Sequence, residues 1–380
     1  MSKKIPLPKG KYIKSIEVDD GGISIQFAKK KKIALLFISI NERYWPYLKQ
    51  VIEDSKKHFL PQHNVEYFVW TDMPLEDTPE YTARLEQLLP QQALDYSVSN
   101  NMRPPDQWWG RETIVDTVNF LRNTKGIHLF ETGAVEWPAP TLMRYHLFLQ
   151  QEEALKDFDY VFYLDADMRV VDKISDEILG KGLTAAPHPG YCIDKRLIPP
   201  IEPNQSSTAY IHRLGRIVDD DGKPRFMPFY AAGGFQGGIS KLFIEAMKLM
   251  KDSIDKDFDR NYTAIWNDES HWNKFLWEFQ RERGDITFLD PSYIYPDSLI
   301  NEYYVPIWGR NYPPKIITLT KPFSLSKQAG QELSQVIGNT QPRFECPTCK
   351  DQFDAPGYFI KKVLQCPGVG KPHQLEMVPK

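Results

Sequence analysis

At 380 residues and 41% hydrophobic content, the chain is long enough for one large domain with attachments. A formal net charge of -3 supplies no basic field of the kind nucleic-acid binders carry, which sets aside phosphate-backbone binding as the main role. The longest apolar run, Ile33 to Ile40, is far short of the ~18 residues a membrane helix needs, and residues 1–14 lack a signal-peptide core. The expectation is a soluble, cytoplasmic protein with no transmembrane segment.

In chain order, KYIKSIEVDDGGISIQFA (residues 11–28) alternates polar and apolar on both sides of Asp-Asp-Gly-Gly, which predicts a hairpin in an N-terminal extension over 1–32. The basic block Lys29 to Lys32 reads as a solvated lead-in to the next strand. IALLFISI is a continuous apolar run, hence a buried strand; helical spacing follows over 43–59, and Val65 to Asp72 predicts a second buried strand in a parallel strand-helix-strand unit. Residues 74–140 hold no sustained period and are expected to form loops and short helices.

From Leu142 to Phe158 apolar residues recur every three or four positions, predicting a helix that leads into the strand VFYL (161–164). A short strand and turn at 183–192, a turn at 219–224, helices at 241–254 and 265–279, and strands at 286–290 and 315–320 complete an open α/β sheet. The texture changes near residue 338, so the domain is placed at 33–338 and a Cys-rich tail at 339–380.

The chemistry begins at VFYLDADMRVV. In extended chain, residues i and i+2 face the same way, so Asp165 and Asp167 can aim both carboxylates beyond a strand end, where ligands bind in open α/β sheets. Converging carboxylates repel unless a divalent hard cation joins them, and such a cation leaves coordination positions for phosphate oxygens. Downstream, WNDESHWNKFLWEF places Asp268, Glu269, Ser270 and His271 at a helix start, more functional side chains than capping requires. The glycines of YAAGGFQGG let backbone approach a ligand closely or a helix pack tightly on a strand, and His188 follows a strand end. In the tail, Cys346, Cys349, Cys366 and His373 offer a zinc-ribbon-like ligand set.

Together FVWTDMP, LMRYHLF, FYLDADMRV, PHPGYC, STAYI, FYAAGGFQGG, WNDESHWNKF and DPSYIYPD resemble glycosyltransferase family 6, the family of the histo-blood-group A and B transferases and the α-1,3-galactosyltransferase. The resemblance covers 33 to about 330, with Asn267 where the family pattern typically has His. It implies a GT-A type fold, an open twisted sheet flanked by helices that binds a nucleotide sugar. The activity implied is retaining transfer of galactose or N-acetylgalactosamine (GalNAc) from a UDP-sugar to the 3-hydroxyl of a galactoside or fucosylated galactoside.

Carried over by position, Ser39, Ile40, Asn41 and Tyr44 would surround uridine, and Arg144, Asp268 and the stretch Ala232, Gly233, Gly234 would meet the donor. Asp165 and Asp167 would hold Mn (or Mg) with the diphosphate, and Ala166 between them would adjoin the donor. Glu269 would be the catalytic carboxylate, and His188, Tyr295 and Asp297 would line the acceptor site. Lys321 or Lys327 would fold over the diphosphate. Glycine at 234 is read as leaving room for an acetamido group, which favours UDP-GalNAc. Many soluble microbial members carry N-x-N, so the retained D-A-D implies metal dependence. A non-catalytic sugar-binding protein of the same fold and a D-x-D phosphohydrolase are the alternatives.

Overall fold

A computed structural model describes residues 8–19, 22–41, 44–73, 111–133, 138–188, 201–211, 217–218, 224–225, 230–282, 285–297 and 312–319, with three short strands between 343 and 378. Lys321, Lys327 and the tail ligands Cys346, Cys349, Cys366 and His373 lie outside the described residues.

Strands β1 (Lys11–Asp19) and β2 (Gly22–Lys29) form a separate antiparallel hairpin. β3 (Lys32–Ser39) is the continuous apolar run, and it is continuous because both sheet faces are covered. Ile33, Leu35 and Phe37 enter one core, while Ala34, Leu36 and Ile38 enter the other. Helix α1 (Trp45–His58) carries Pro46 in its first turn, where a missing N–H breaks no helical bond, and Lys56, Lys57 and His58 in its last turn, where cations suit the helix dipole. β4 (Asn64–Thr71) then pairs parallel with β3.

Within the stretch expected to form loops and short helices, the structure contains the 13-residue helix α2 (Arg111–Asn123) and a strand, β5 (Ile127–Glu131), the latter parallel to β4. Val118 and Leu121, spaced for one helix face, pack beside α1 residues. The single helix expected from 142 is instead three short ones: α3 (Ala139–Leu142), α4 (Arg144–Leu149) and α5 (Glu152–Leu155). The reason is packing. On one straight helix residues 142 and 155 would lie about 140° apart. The breaks at Met143 and Gln151 let Leu142, Tyr145, Phe148 and Leu155 all reach one core.

β6 (Tyr160–Leu164) pairs parallel with β3, and β7 (Met168–Val170) follows two residues after Ala166. β8 (Leu183–Pro187) and a small ribbon, β9 (Ile217–Val218) with β10 (Pro224–Arg225), precede β11 (Ala231–Ile239). YAAGGFQGG was read only as a close-approach stretch, yet it forms this nine-residue strand, inserted antiparallel between β6 and β8. Its glycines make the insertion fit. A Cβ at Gly237 would lie 2.3 Å from Phe162 Cδ1, and one at Gly238, where φ is +144°, would lie 2.4 Å from the Gly182 carbonyl.

Helices α6 (Ser240–Phe258) and α7 (Asp268–Glu282) then pack on the face of the sheet lined by Leu36 and Val161. β12 (Ile286–Phe288) pairs parallel with β8 and closes the order β12-β8-β11-β6-β3-β4-β5. A second sheet joins β13 (Tyr295–Pro296) and β14 (Ile316–Thr318) to β7. In the tail, β15 (Arg343–Glu345) pairs with β16 (Gln352–Asp354) and β17 (Glu376–Val378). A mixed central sheet with helices on both faces fits a GT-A-like fold, and no helix among the described residues is long and apolar enough to cross a membrane. The carboxyl ends of β3 and β6 and the amino end of β11 converge, because β11 runs opposite to β6.

Candidate active site

The convergence places Asp165 against β11. Its N–H donates to the Gly234 carbonyl at 3.0 Å, and the Leu319 N–H donates to the Asp167 carbonyl at 3.1 Å, so the turn is held from both sides. The Tyr163 hydroxyl donates to Asp165 Oδ1, which orients that carboxylate. A cleft of about 250 Å³ opens in front, lined among others by Ile38, Ile40, Asn41, Tyr44, Arg144 and Asp165 to Asp167. Among the described residues no group of three or more His, Cys, Asp or Glu could hold a metal ion. Two carboxylates with a diphosphate as third party are nonetheless the donor set that Mg or Mn takes, so these residues fit such an ion.

Arg144 is the centre of the site. Its Nη1 lies 2.9 Å from Asp268 Oδ2 and donates to the Gly233 carbonyl at 2.7 Å; its Nη2 is 3.6 Å from Asp165 Oδ1, and its guanidinium stacks 4.3 Å from the Tyr163 ring centroid. Arg144 is 4% exposed and Asp268 3%. Glu269 turns instead to β11, where its Oε2 accepts the Gly233 N–H at 2.7 Å. One arginine thus faces Asp165 and Asp268 and meets Glu269 through Gly233, which both of them bind. Burial pushes Glu269 up to about 8, opposed by the Gly233 N–H and reinforced by Asp268. Burial likewise pushes Asp268 up to about 7 against the pull of Arg144.

These shifts set a pH dependence of stability. Both carboxylates bind protons more tightly folded than unfolded, so their contribution is fully present below about pH 4 and is lost as pH rises toward 8. The ligand-free protein is expected to melt at a lower temperature at pH 8 than at pH 5.5. Asp268→Asn with Glu269→Gln should flatten that slope; a slope unchanged in the double variant would place its origin elsewhere.

Helix α7 is seated by its own polar residues. Asn267 takes the left-handed conformation (φ +52°), which asparagine tolerates better than most residues, and the Trp266 N–H donates to Ser270 Oγ at 3.1 Å. Asn273 clasps Ala231 twice, accepting its N–H at 2.7 Å and donating to its carbonyl at 2.8 Å. That clasp fixes the approach of Glu269 to Gly233. His271 points away from the cleft, with Nε2 3.7 Å from Asp257, and burial pushes it down to about 3, so it is a neutral core imidazole. Asp257 in turn accepts the Ser207 hydroxyl at 2.6 Å and the Thr208 N–H at 2.8 Å, which gives STAYI a structural role.

Of the residues expected around uridine, Ile40, Asn41 and Tyr44 line the cleft. Ser39 does not, being fully buried at the end of β3 with its carbonyl accepting from Thr71. Asn41 adopts φ +84° and donates its N–H to Asp72 at 2.9 Å, which shapes the turn before α1. His188 follows β8, its N–H bound to the Tyr230 carbonyl at 2.7 Å, and burial pushes its imidazole down to about 4. Tyr295 and Asp297 lie in and just after β13, on the small sheet shared with β7. Residues missed in the sequence are Tyr163, Tyr145 and Gln236. The Tyr145 hydroxyl donates to Gln236 at 2.9 Å, and Gln236 donates to the Gly233 carbonyl at 3.0 Å.

The room read at Gly234 is not open space. A Cβ there would lie 2.6 Å from Asp165 Oδ2 and 2.5 Å from Met168 Cε, so the glycine serves the close approach of Asp165. Gly234→Ala is therefore expected to weaken Mn-dependent UDP binding by about tenfold, with about 1–3 kcal/mol of lost stability. Calorimetric titration checks this, and undiminished affinity would mean Asp165 shifts freely.

Residues 115–302 match the sequence profile of glycosyltransferase family 6. The histo-blood group ABO system transferase 1 of Rattus norvegicus is 27% identical over 278 residues, 72% of this chain and 64% of that protein. A globoside α-1,3-N-acetylgalactosaminyltransferase 1 of Gallus gallus is 26% identical over 67% of this chain and 59% of its own length. The O-antigen biosynthesis glycosyltransferase WbnI of Escherichia coli is 25% identical over 37% of this chain and 56% of its own length. The chain thus spans somewhat less than two thirds of the rat and chicken relatives. The family profile runs through Arg144, the aspartate pair, β11 and the start of α7, and the chain belongs to glycosyltransferase family 6.

Proposed function

We propose that the protein transfers GalNAc or galactose from a UDP-sugar to the 3-hydroxyl of a galactoside in α linkage, with retention and with Mn (or Mg) bound by Asp165 and Asp167. The observation that carries this reading is the placement of Glu269 beside Gly233 and of Asp165 beside Gly234, so that one ionisable carboxylate and the aspartate pair meet at adjacent residues of β11. Bound Mn would offset the charge of the diphosphate. Tyr44, Asn41 and Ile40 would enclose the uridine, and Arg144 would fix Asp268 against the donor sugar. Ionised Glu269 would stabilise positive charge developing at the anomeric carbon as the bond to the diphosphate breaks. The departing phosphate oxygen takes the proton of the attacking acceptor hydroxyl, so no separate base is required. Covalent and same-face routes both use Glu269 in its ionised form.

The preference for GalNAc rests on the chicken relative's activity, since Gly234 no longer supports it. A UDP-release assay with UDP-GalNAc and UDP-Gal, galactoside acceptors, and Mn or chelator tests the proposal. Release that requires both acceptor and Mn is expected. UDP binding without release would favour a sugar-binding protein, and phosphate release from monoesters a hydrolase. For the tail we propose structural zinc at Cys346, Cys349, Cys366 and His373, tested by metal analysis of protein prepared without chelator.

A further inference from the structure

The hairpin β1–β2 takes no part in the cleft, and its two faces differ in chemistry. Its register pairs Ile13 with Phe27 and Ile16 with Ile25, and Ile23 lies two residues before Ile25, so Ile13, Ile16, Ile23, Ile25 and Phe27 share one face. An irregularity between Ile13 and Ser15 keeps them together. Residues 13 and 16 of a regular strand would face opposite sides, and one bulged residue restores the match. The other face docks on the body, where the Tyr12 hydroxyl donates to Asp176 and the Tyr12 ring meets His63 edge-on at 5.1 Å. The apolar face is left to solvent: Ile13, Ile16 and Ile23 are 47%, 57% and 70% exposed.

The same segment is basic. Residues 8–32 contain seven lysines against Glu17, Asp19 and Asp20, within a chain whose net charge is -3. Lys31 lies 4.0 Å from Asp159 on the body, whereas Lys9, Lys11, Lys14 and Lys29 are exposed around the open end of the hairpin. Lys29 to Lys32, read from sequence as a solvated lead-in, therefore adjoins an exposed apolar surface. A second copy docked on this face would bring two net-positive segments together. An anionic lipid surface answers the apolar area and the charge at once.

We propose that the Ile13, Ile16, Ile23, Ile25 and Phe27 face of the hairpin rests on an anionic bilayer, with the lysines of residues 9–32 against lipid headgroups. This holds independently of the donor or acceptor. The test is sedimentation of the full chain with vesicles of phosphatidylcholine alone, or containing about 30% phosphatidylglycerol, a content that gives a strongly negative surface. Binding to the anionic vesicles is expected to be at least about tenfold stronger and to be largely lost at about 0.5 M salt.

Each lysine near such a surface is worth about fivefold in affinity, so Lys11→Ala with Lys29→Ala should reduce binding by about tenfold or more. Ile16→Ser with Ile23→Ser should do the same by removing apolar contact. Both pairs should leave the melting temperature of the body and UDP affinity unchanged. No sedimentation, equal binding to neutral vesicles, or a concentration-dependent dimer dissolved by the isoleucine substitutions would overturn the proposal.

Discussion

Glu269→Gln is expected to lower sugar transfer by on the order of 10³-fold or more while leaving UDP affinity within about twofold. The two effects separate because of what Glu269 does in the fold. Its Oε2 accepts the Gly233 N–H, and a glutamine carbonyl can accept the same bond, so β11 and α7 keep their relation. What glutamine lacks is the negative charge that would face the anomeric carbon. UDP-release kinetics and calorimetric UDP titration read the two quantities separately. A large fall in UDP affinity would show that this carboxylate reads the nucleotide rather than the transferred sugar.

The protonation state bears on the same experiment. With Glu269 pushed up to about 8 by burial, kcat/KM of the wild-type protein should rise with pH through neutrality as the free enzyme deprotonates. Asp268→Asn removes the like charge beside it and should move that limb to lower pH.

How much of this was legible in the sequence follows from the range of the interactions. VFYL running into Asp165 and Asp167 could be read because the strand, the turn and the carboxylates are contiguous. The two-sided burial of IALLFISI was also readable, since it shows as a run without alternation. β11 was not, because glycine is depleted in strands and the reason for three of its four lies in Phe162, Val161, Gly182 and Asp165, residues far away in the chain. The same holds for the two breaks of 139–155 and for the chain Tyr145, Gln236, Gly233, Glu269, whose first and last links join residues far apart in sequence. Arg144 was marked only through the family resemblance. Its central position depends on Asp165 and Asp268, delivered by β6 and α7, which no local pattern reveals.

That position makes Arg144→Ala the most damaging single change expected outside Glu269. The substitution leaves Asp268 buried without its cation, and breaking a buried pair in this way costs about 3–5 kcal/mol. The Gly233 carbonyl loses a donor as well, which loosens the strand segment that holds Glu269. Arg144→Lys should recover part of the stability but little of the activity. A single ammonium cannot reach Asp268, the Gly233 carbonyl and Asp165 while stacking on Tyr163, as the planar guanidinium does.

The pH dependence separates a lost ion pair from lost packing. Without Arg144, Asp268 is pushed further above its ordinary range and takes up a proton at mildly acid pH, which removes the uncompensated charge. The gap in melting temperature between wild type and Arg144→Ala should therefore narrow at pH 5 and widen at pH 8. A gap that stays constant across this range would assign the loss to packing against Tyr163 and leave Asp268 neutral in the native protein.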